Sequence, residues 1–430
     1  MEKIAVILFI VGYAAIAFEH VINVNKTASA LLAGALCWTV YILMYSGDYH
    51  DVIHHLAHHL SKTTEILFFL IGAMTIVELV DAHHGFKIIT NMITTSNAIR
   101  LLWIISLIAF FMSAVLDNLT TAIVMVSLLK KLIDNQEQRK YYACIVIVAA
   151  NAGGAWSPIG DVTTTMLWIG GQISPLNIML ELFIPSLVCL IIPLIYCTFT
   201  LKGNLAGDLP KRKLEQDHAH APIKGQKVML AMGIGSLVFV PIFKTVTHLP
   251  PYMGMLLALG LVWIVSEIMN KDADEAEREE LSASKALSRI DTSSVLFFLG
   301  ILLAIAALES MHLLSAVAAW LDQIIGNERL IVLAIGVVSA IIDNVPLVAA
   351  SMGMYSLEAY PMDHELWEFM AYCAGTGGSI LIIGSAAGVA VMGMEKIDFM
   401  WYVKKISFVA AIGYFAGAAV YIFVTHFFHV

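Results

Sequence analysis

Charge is scarce in this chain. Only 13% of its 430 residues are Asp, Glu, Lys or Arg, while 59% are apolar and mean hydropathy is +0.83. That balance excludes an ordinary soluble domain and indicates a polytopic membrane protein. Cysteine is sparse too. Cys37, Cys144, Cys189, Cys197 and Cys373 all lie in apolar segments without C-x-x-C or metal-ligand spacing, so they read as small core residues. There is no H-E-x-x-H, G-x-S-x-G or nucleotide-binding loop, which argues against a membrane enzyme. No arginine clamp for an organic anion is visible either. The net charge of −9 says little about partners, because the charges sit mostly in loops, and nothing suggests nucleic acid.

What is present is an apolar run broken at its centre. Residues 101–133, LLWIISLIAFFMSAVLDNLTTAIVMVSLLKKLI, are interrupted by Ser113 and then Asp117-Asn118-Leu119-Thr120-Thr121. A membrane-crossing helix needs roughly 20 residues, so the run is too long for one crossing and each half too short. Two half-helices meeting at a polar tip fit better, as a re-entrant hairpin whose non-helical tip survives inside protein or beside water. An acid at such depth is a functional candidate by default, since burying the charge costs about 2.5 to 3.5 kcal/mol.

The pattern occurs twice. Residues 330–357 carry Ser339 four residues before Asp343-Asn344, repeating S-x-x-x-D-N at an offset of 226. Downstream, Gly153, Gly154 and Gly160 correspond to Gly377, Gly378 and Gly384 at an offset of 224, and LFFL at 67–70 recurs at 296–299. We therefore read an internal duplication, and paired interrupted segments in two halves point to a transporter binding site.

The fold class expected is an all-α polytopic membrane protein of two inverted-topology repeats, each with five transmembrane helices and one re-entrant hairpin, with broken helices at the midplane. Crossings are predicted at 4–21, 27–46, 64–82, 140–168, 176–200, 227–246, 252–270, 291–311, 366–394 and 399–426. Ala15-Ile16-Ala17 resembles a signal-peptide cleavage site, but 4–21 is kept as the counterpart of 227–246. The repeats are 1–200 and 227–430, joined by a linker at 201–226. Placing that linker in the cytoplasm puts all but four of the 24 Lys and Arg residues inside, the exceptions being Lys3, Lys62, Lys244 and Arg329. Both termini then face out. Segments 83–98 and 312–327 are expected to lie on the membrane surface, and the charged loop 271–289 to be solvated.

Four polar elements would meet at the midplane. They are the first tip (Asp117, Asn118, Thr120, Thr121), a break at 151–165 (Asn151, Ser157-Pro158, Asp161), the second tip (Asp343, Asn344, Pro346) and a break at 375–388 (Thr376, Ser379, Ser385). Carboxylate, amide and hydroxyl oxygens suit a small alkali cation. Buried acids must bind a cation or take up a proton, which is the minimum an exchanger requires. Alternatively each acid caps a half-helix N-terminus. Thr163, Thr164 and Thr165 are expected to bond back to their own helix. Ser113, Thr163, Ser339, Glu78 and Glu309 are accessory candidates, the two glutamates falling at matching helix ends. His50, His54 and His58 share one helical face, with His55 and His59 beside it, as a pH-sensitive or merely polar interfacial surface. His218 and His220 have no assigned use.

The paired tips and the string Asn151-Ala-Gly-Gly-Ala-Trp-Ser-Pro-Ile-Gly-Asp161-Val-Thr-Thr resemble the NhaD-type sodium/proton antiporters of the ion transporter superfamily, over nearly the whole chain. The resemblance implies a homodimer with a scaffold domain and a mobile transport domain, and pH homeostasis by exchange of cytoplasmic Na+ or Li+ for external H+, without a cofactor. Na+ is then expected at Asp117, Asn118, Asn151 and Asp161, in a bacterial cytoplasmic (inner) membrane. Ser385 stands where Asp161's counterpart would be, so the first half should contribute more of the cation chemistry. The alternative is a sodium-coupled dicarboxylate or other anion symporter of the same superfamily; its tips are of Ser-Asn-Thr type, whereas both tips here read Asp-Asn.

Overall fold

The computed structural model describes all residues except 1, 18, 23, 91, 92, 94, 96, 201–224, 272, 429 and 430. Most of the linker 201–226, with His218 and His220, therefore lies outside the described residues. Among the described residues every regular element is helical. The chain forms α1 (Glu2–Ala17), α2 (Glu19–Ile22), α3 (Lys26–Met44), α4 (Tyr49–Ala82), α5 (Phe86–Thr90), α6 (Ala98–Ser113), α7 (Asn118–Leu132), α8 (Gln136–Ala155), α9 (Val162–Ile169) and α10 (Pro175–Thr200). It continues with α11 (Gln226–Thr247), α12 (Pro251–Met269), α13 (Glu275–Glu280), α14 (Ala283–Arg289), α15 (Thr292–Ser310), α16 (Leu313–Ile325), α17 (Glu328–Val338), α18 (Asn344–Met354), α19 (Glu365–Gly377) and α20 (Ala386–Glu395). Finally α21 (Phe399–Tyr402) passes through one π turn (Val403–Ser407) into α22 (Phe408–Phe428).

Among the described residues seven helices are long and apolar enough to cross a membrane: α3, α4, α10, α11, α12, α15 and the α21–α22 rod. The protein is an integral, polytopic membrane protein. Helix starts follow local chemistry, with Asn25, Asp48, Asn97, Asn135, Asp291 and Asn327 each accepting a backbone N–H of the first turn. The outward faces of α11 and α12 carry exposed Val238, Ile242, Leu257, Leu261 and Ile264, as a lipid-facing surface requires.

The innermost elements are the broken ones. From Tyr142 to Ala155 α8 is buried at every position, and α19 is buried from Leu366 to Gly377. Small residues allow this. A Cβ on Gly154 would meet the carbonyl oxygen of Gly160, and one on Gly378 that of Gly384, so each chain folds back against its own break at backbone distance. Ser113 Oγ donates to Ala150 O at 2.7 Å, and Ser339 Oγ to Ala374 O at 2.9 Å, tying each polar tip to a broken helix.

Four expectations need adjustment. The breaks are narrower than 151–165 and 375–388. α8 runs to Ala155 and α19 to Gly377, because nothing before Trp156 and Ser157-Pro158, or before Gly378, removes a donor or forces the chain out of the helix. The crossing expected from residue 64 is the second part of α4, which starts at Tyr49. At 34 residues it is about 51 Å long, more than the roughly 30 Å apolar layer needs, so its histidine-rich start extends past that layer. Within 83–98 the five-residue α5 is the described helix, whereas 312–327 holds the full α16. The loop 271–289 is not wholly solvated, since α14 buries Ala283 and Ala286 and Ser266 Oγ donates to Leu281 O.

Candidate polar centre

At the centre is Asp161, 2% exposed. It is the N-cap of α9, where Oδ1 accepts from the Thr163 amide and hydroxyl, both at 2.8 Å. Asn118 Nδ2 donates to Oδ2 at 2.5 Å, and Asn344 Nδ2 approaches the two oxygens at 3.5 and 3.4 Å. Each asparagine opens a helix beside a tip, so one residue from each tip converges on one carboxylate. Among the described residues no Lys, Arg or His side chain pairs with Asp161; its charged neighbours are Asp343 and Asp117. Its hydrogen bonds are thus neutral and its charge is uncompensated.

Asn151 links the two breaks. Its Oδ1 accepts from Asn118 Nδ2 at 3.0 Å, and its Nδ2 donates to Ser379 Oγ at 2.9 Å and Ser385 Oγ at 3.0 Å. Ser385 caps α20 by accepting from the Gly388 amide, and Tyr402 fixes the neighbouring backbone by donating to Ser379 O at 2.7 Å. Asp161, Asn118, Asn151, Asn344, Ser379 and Ser385 thereby form one connected, buried set.

The tips differ from one another. Asp117 caps α7 and is held by Thr120, whose amide donates to Oδ1 and hydroxyl to Oδ2, each at 2.7 Å. Asp343 caps α18 by accepting from the Val345 amide at 3.3 Å, and its Oδ2 pairs with Lys26 Nζ at 3.1 Å. Lys26, one of the cations that the charge count assigns to the cytoplasmic side, reaches this tip. The clue in the sequence is Pro346, which stands where Thr120 does in the first tip and has neither an N–H nor a hydroxyl to offer Asp343.

Other candidates fall outside the set. Ser157 Oγ donates to Ala114 O, Thr376 Oγ1 to Tyr372 O, and Ser113 and Ser339 to the carbonyls given above, so these hydroxyls are taken up by the backbone. Among the described residues nothing hydrogen-bonds the buried Thr121 Oγ1. Thr164 bonds back to the carbonyl of Asp161, the cap of its own helix, whereas Thr165 donates to Pro158 O in the break and Thr163 to the carboxylate. Glu78 faces Arg289 at 3.8 Å, and Glu309 lines a separate cavity of about 500 Å³ with His59, Lys62 and Glu65. His59 meets Ser310 Oγ at 3.1 Å, while His50, His54, His55 and His58 are exposed. All five cysteines are buried and free.

An acid without a counter-ion, set among amides and hydroxyls, suits a cation that comes and goes. The sequence profile of the citrate transporter family, CitMHS, matches residues 6–367. Sodium/proton antiporter 1 of Arabidopsis thaliana is 52% identical over 97% of this chain and 71% of its own length, and sodium/proton antiporter 2 of that plant 48% over 98% and 99%. The chain belongs to the citrate transporter family, in its NhaD-type sodium/proton antiporter branch. The Na(+)/H(+) antiporter NhaD of Alkalimonas amylolytica is 29% identical over 97% of this chain and 90% of its own length. Members of this family are transporters, and that, rather than any missing motif, sets the NhaD-type chain apart from enzymes.

Proposed function

We propose that this NhaD-type chain exchanges Na+ or Li+ for H+ across the membrane, with Asp161 as the charge that both cargoes neutralise. The observation that carries this reading is the uncompensated burial of Asp161 among neutral donors. An ionised carboxylate there is costly unless a cation or a proton joins it, so the two compete for one charge. Asn118, Asn151, Ser379 and Ser385 supply oxygens for a dehydrated ion, and Asn344, Asp117 and Asp343 border the site. Ser157, Thr120, Thr121, Thr376, Ser113, Ser339 and Thr163 position the chain around it.

The matching tip contacts support two inverted repeats, 1–200 and 227–430, joined through 201–226, with α6–α7 and α17–α18 as re-entrant hairpins. In the cycle, cytoplasmic Na+ displaces protons from Asp161, the loaded core moves outward as an elevator, and external H+ neutralises the returning site. Empty and charged is the state that does not move. The working unit is a homodimer in a bacterial cytoplasmic membrane, both termini outside, serving pH homeostasis. Each net charge carried per cycle adds about 2.3 kcal/mol per 100 mV.

The citrate description of the family favours a second reading, anion symport, but a polycarboxylate would face Asp161, Asp117 and Asp343. Inside-out vesicles holding a respiration-generated pH gradient distinguish the two. Na+ or Li+ should collapse the gradient without any organic anion. Na+ uptake that requires citrate would establish symport instead.

A further inference from the structure

The ion pair between Lys26 and Asp343 joins the start of α3 to the second tip. Lys26 is the first residue of α3, which is fixed to α15: Thr27 Oγ1 donates to Ser293 O at 2.9 Å, Trp38 Nε1 to Leu303 O at 2.8 Å and Tyr41 Oη to Ser310 O at 3.3 Å. Gly34 and Gly300 bring the two backbones so close that a Cβ on Gly34 would lie 2.6 Å from Gly300 O. The amine is steadied by the Phe297 ring, 4.4 Å away on α15. Asp343, by contrast, belongs to the tip between α17 and α18, whose Asn344 reaches Asp161 and whose Ser339 is tied to α19. The ammonium ion is a cation at the edge of the polar centre, supplied by the protein itself.

Pro346 explains why it is needed. At the first tip Thr120 supplies two donors to Asp117; at the second, Pro346 supplies neither, so Asp343 has one long amide contact and an oxygen left for a charge. We propose that Lys26 is a tethered competitor of the transported cation: it neutralises Asp343 in this state and must leave before cargo can do so. The inference rests on the exchange reading above. Its consequence is a specific pattern. Without the amine, Asp343 is open to Na+ and less Na+ half-saturates exchange; but Asp343 is then also unneutralised on the empty return, so the maximal rate falls.

The test is the Na+ dependence of gradient collapse in inside-out vesicles for wild type, Lys26→Met, Lys26→Arg, Asp343→Asn and Lys26→Met/Asp343→Asn. Lys26→Met keeps the aliphatic stem, and half-saturating Na+ should fall three- to tenfold with a lower maximal rate. A merely structural lysine would lower the rate and leave half-saturation unchanged or higher, and that result overturns the proposal. If Lys26→Met fails to reach the membrane, Lys26→Arg decides: its forked donors hold a carboxylate more firmly, so half-saturating Na+ should rise at least threefold, and no rise overturns the proposal. The double variant should match Asp343→Asn alone, because an amide leaves nothing to compete for; a further shift also contradicts it. Wild-type vesicles that never respond to Na+ would remove the exchange reading and this inference together, whereas wild-type exchange with unshifted lysine variants removes the inference alone.

Discussion

The two hairpin tips share a framework and differ in chemistry. Ser113 and Ser339 make the same bond to a broken helix, and Gly154 and Gly378 allow the same backbone approach. Around these fixed points the reactive positions diverge: Asn151 stands opposite Gly375, Asp161 opposite Ser385, and Thr120 opposite Pro346. The first half therefore holds the central acid and the amide that bridges the breaks. The second half supplies the hydroxyls those groups use and an acid already paired with Lys26. Contacts that shape the backbone are alike at the two tips, while the polar side chains around them differ.

The largest effect expected is at the unequal centre. Asp161→Asn should abolish exchange, at least a hundredfold below wild type, in protein that still reaches the membrane; the mirror change Ser385→Ala should cost tenfold or less. Equal losses in the two would erase the claimed inequality. Next, Asp117→Asn and Asp343→Asn should each reduce exchange by tenfold or more without a matching fall in expression. Normal exchange in either breaks the paired-tip account. Asn151→Ala leaves Ser379, Ser385 and Asn118 short of partners at about 1 to 3 kcal/mol, so half-saturating Na+ should rise roughly tenfold or more. The framework is tested by Gly154→Ala and Gly378→Ala, which should lower detergent stability by similar amounts, about 1 to 3 kcal/mol each, read as melting temperature. The smallest effect is expected at Glu309→Gln, in the separate cavity: a changed pH profile with little loss of rate. An unchanged profile returns Glu309 to the structural residues.

Much of this was legible because deep polar residues in an apolar chain are few. The D-N tips and Asp161 stand out by their cost in a membrane, the glycine pairs by their recurrence at a fixed offset, and the helix boundaries largely by hydropathy. The capping alternative proved to be true of all three acids, but it does not compete with the ion reading at Asp161, whose second oxygen faces asparagines rather than its own helix. What stayed hidden was long-range partner choice. Nothing within the sequence joins Lys26 to a residue 317 positions away, and only the Thr120-to-Pro346 difference hints that Asp343 lacks a donor. The breaks were drawn too wide because Asn151 and Gly153 lower helix propensity without ending the helix. Ser157 and Thr376 drew attention as hydroxyls, yet their geometry turns them to carbonyls, a distinction periodicity does not carry.

The central claim is that one buried, uncompensated carboxylate is neutralised by Na+ and H+ in turn. The most direct measurement is proton release from purified protein in weak buffer when Na+ is added, compared between wild type and Asp161→Asn. The account predicts a saturable release from wild type that disappears in Asp161→Asn. No release from wild type, or the same release from both proteins, would contradict it.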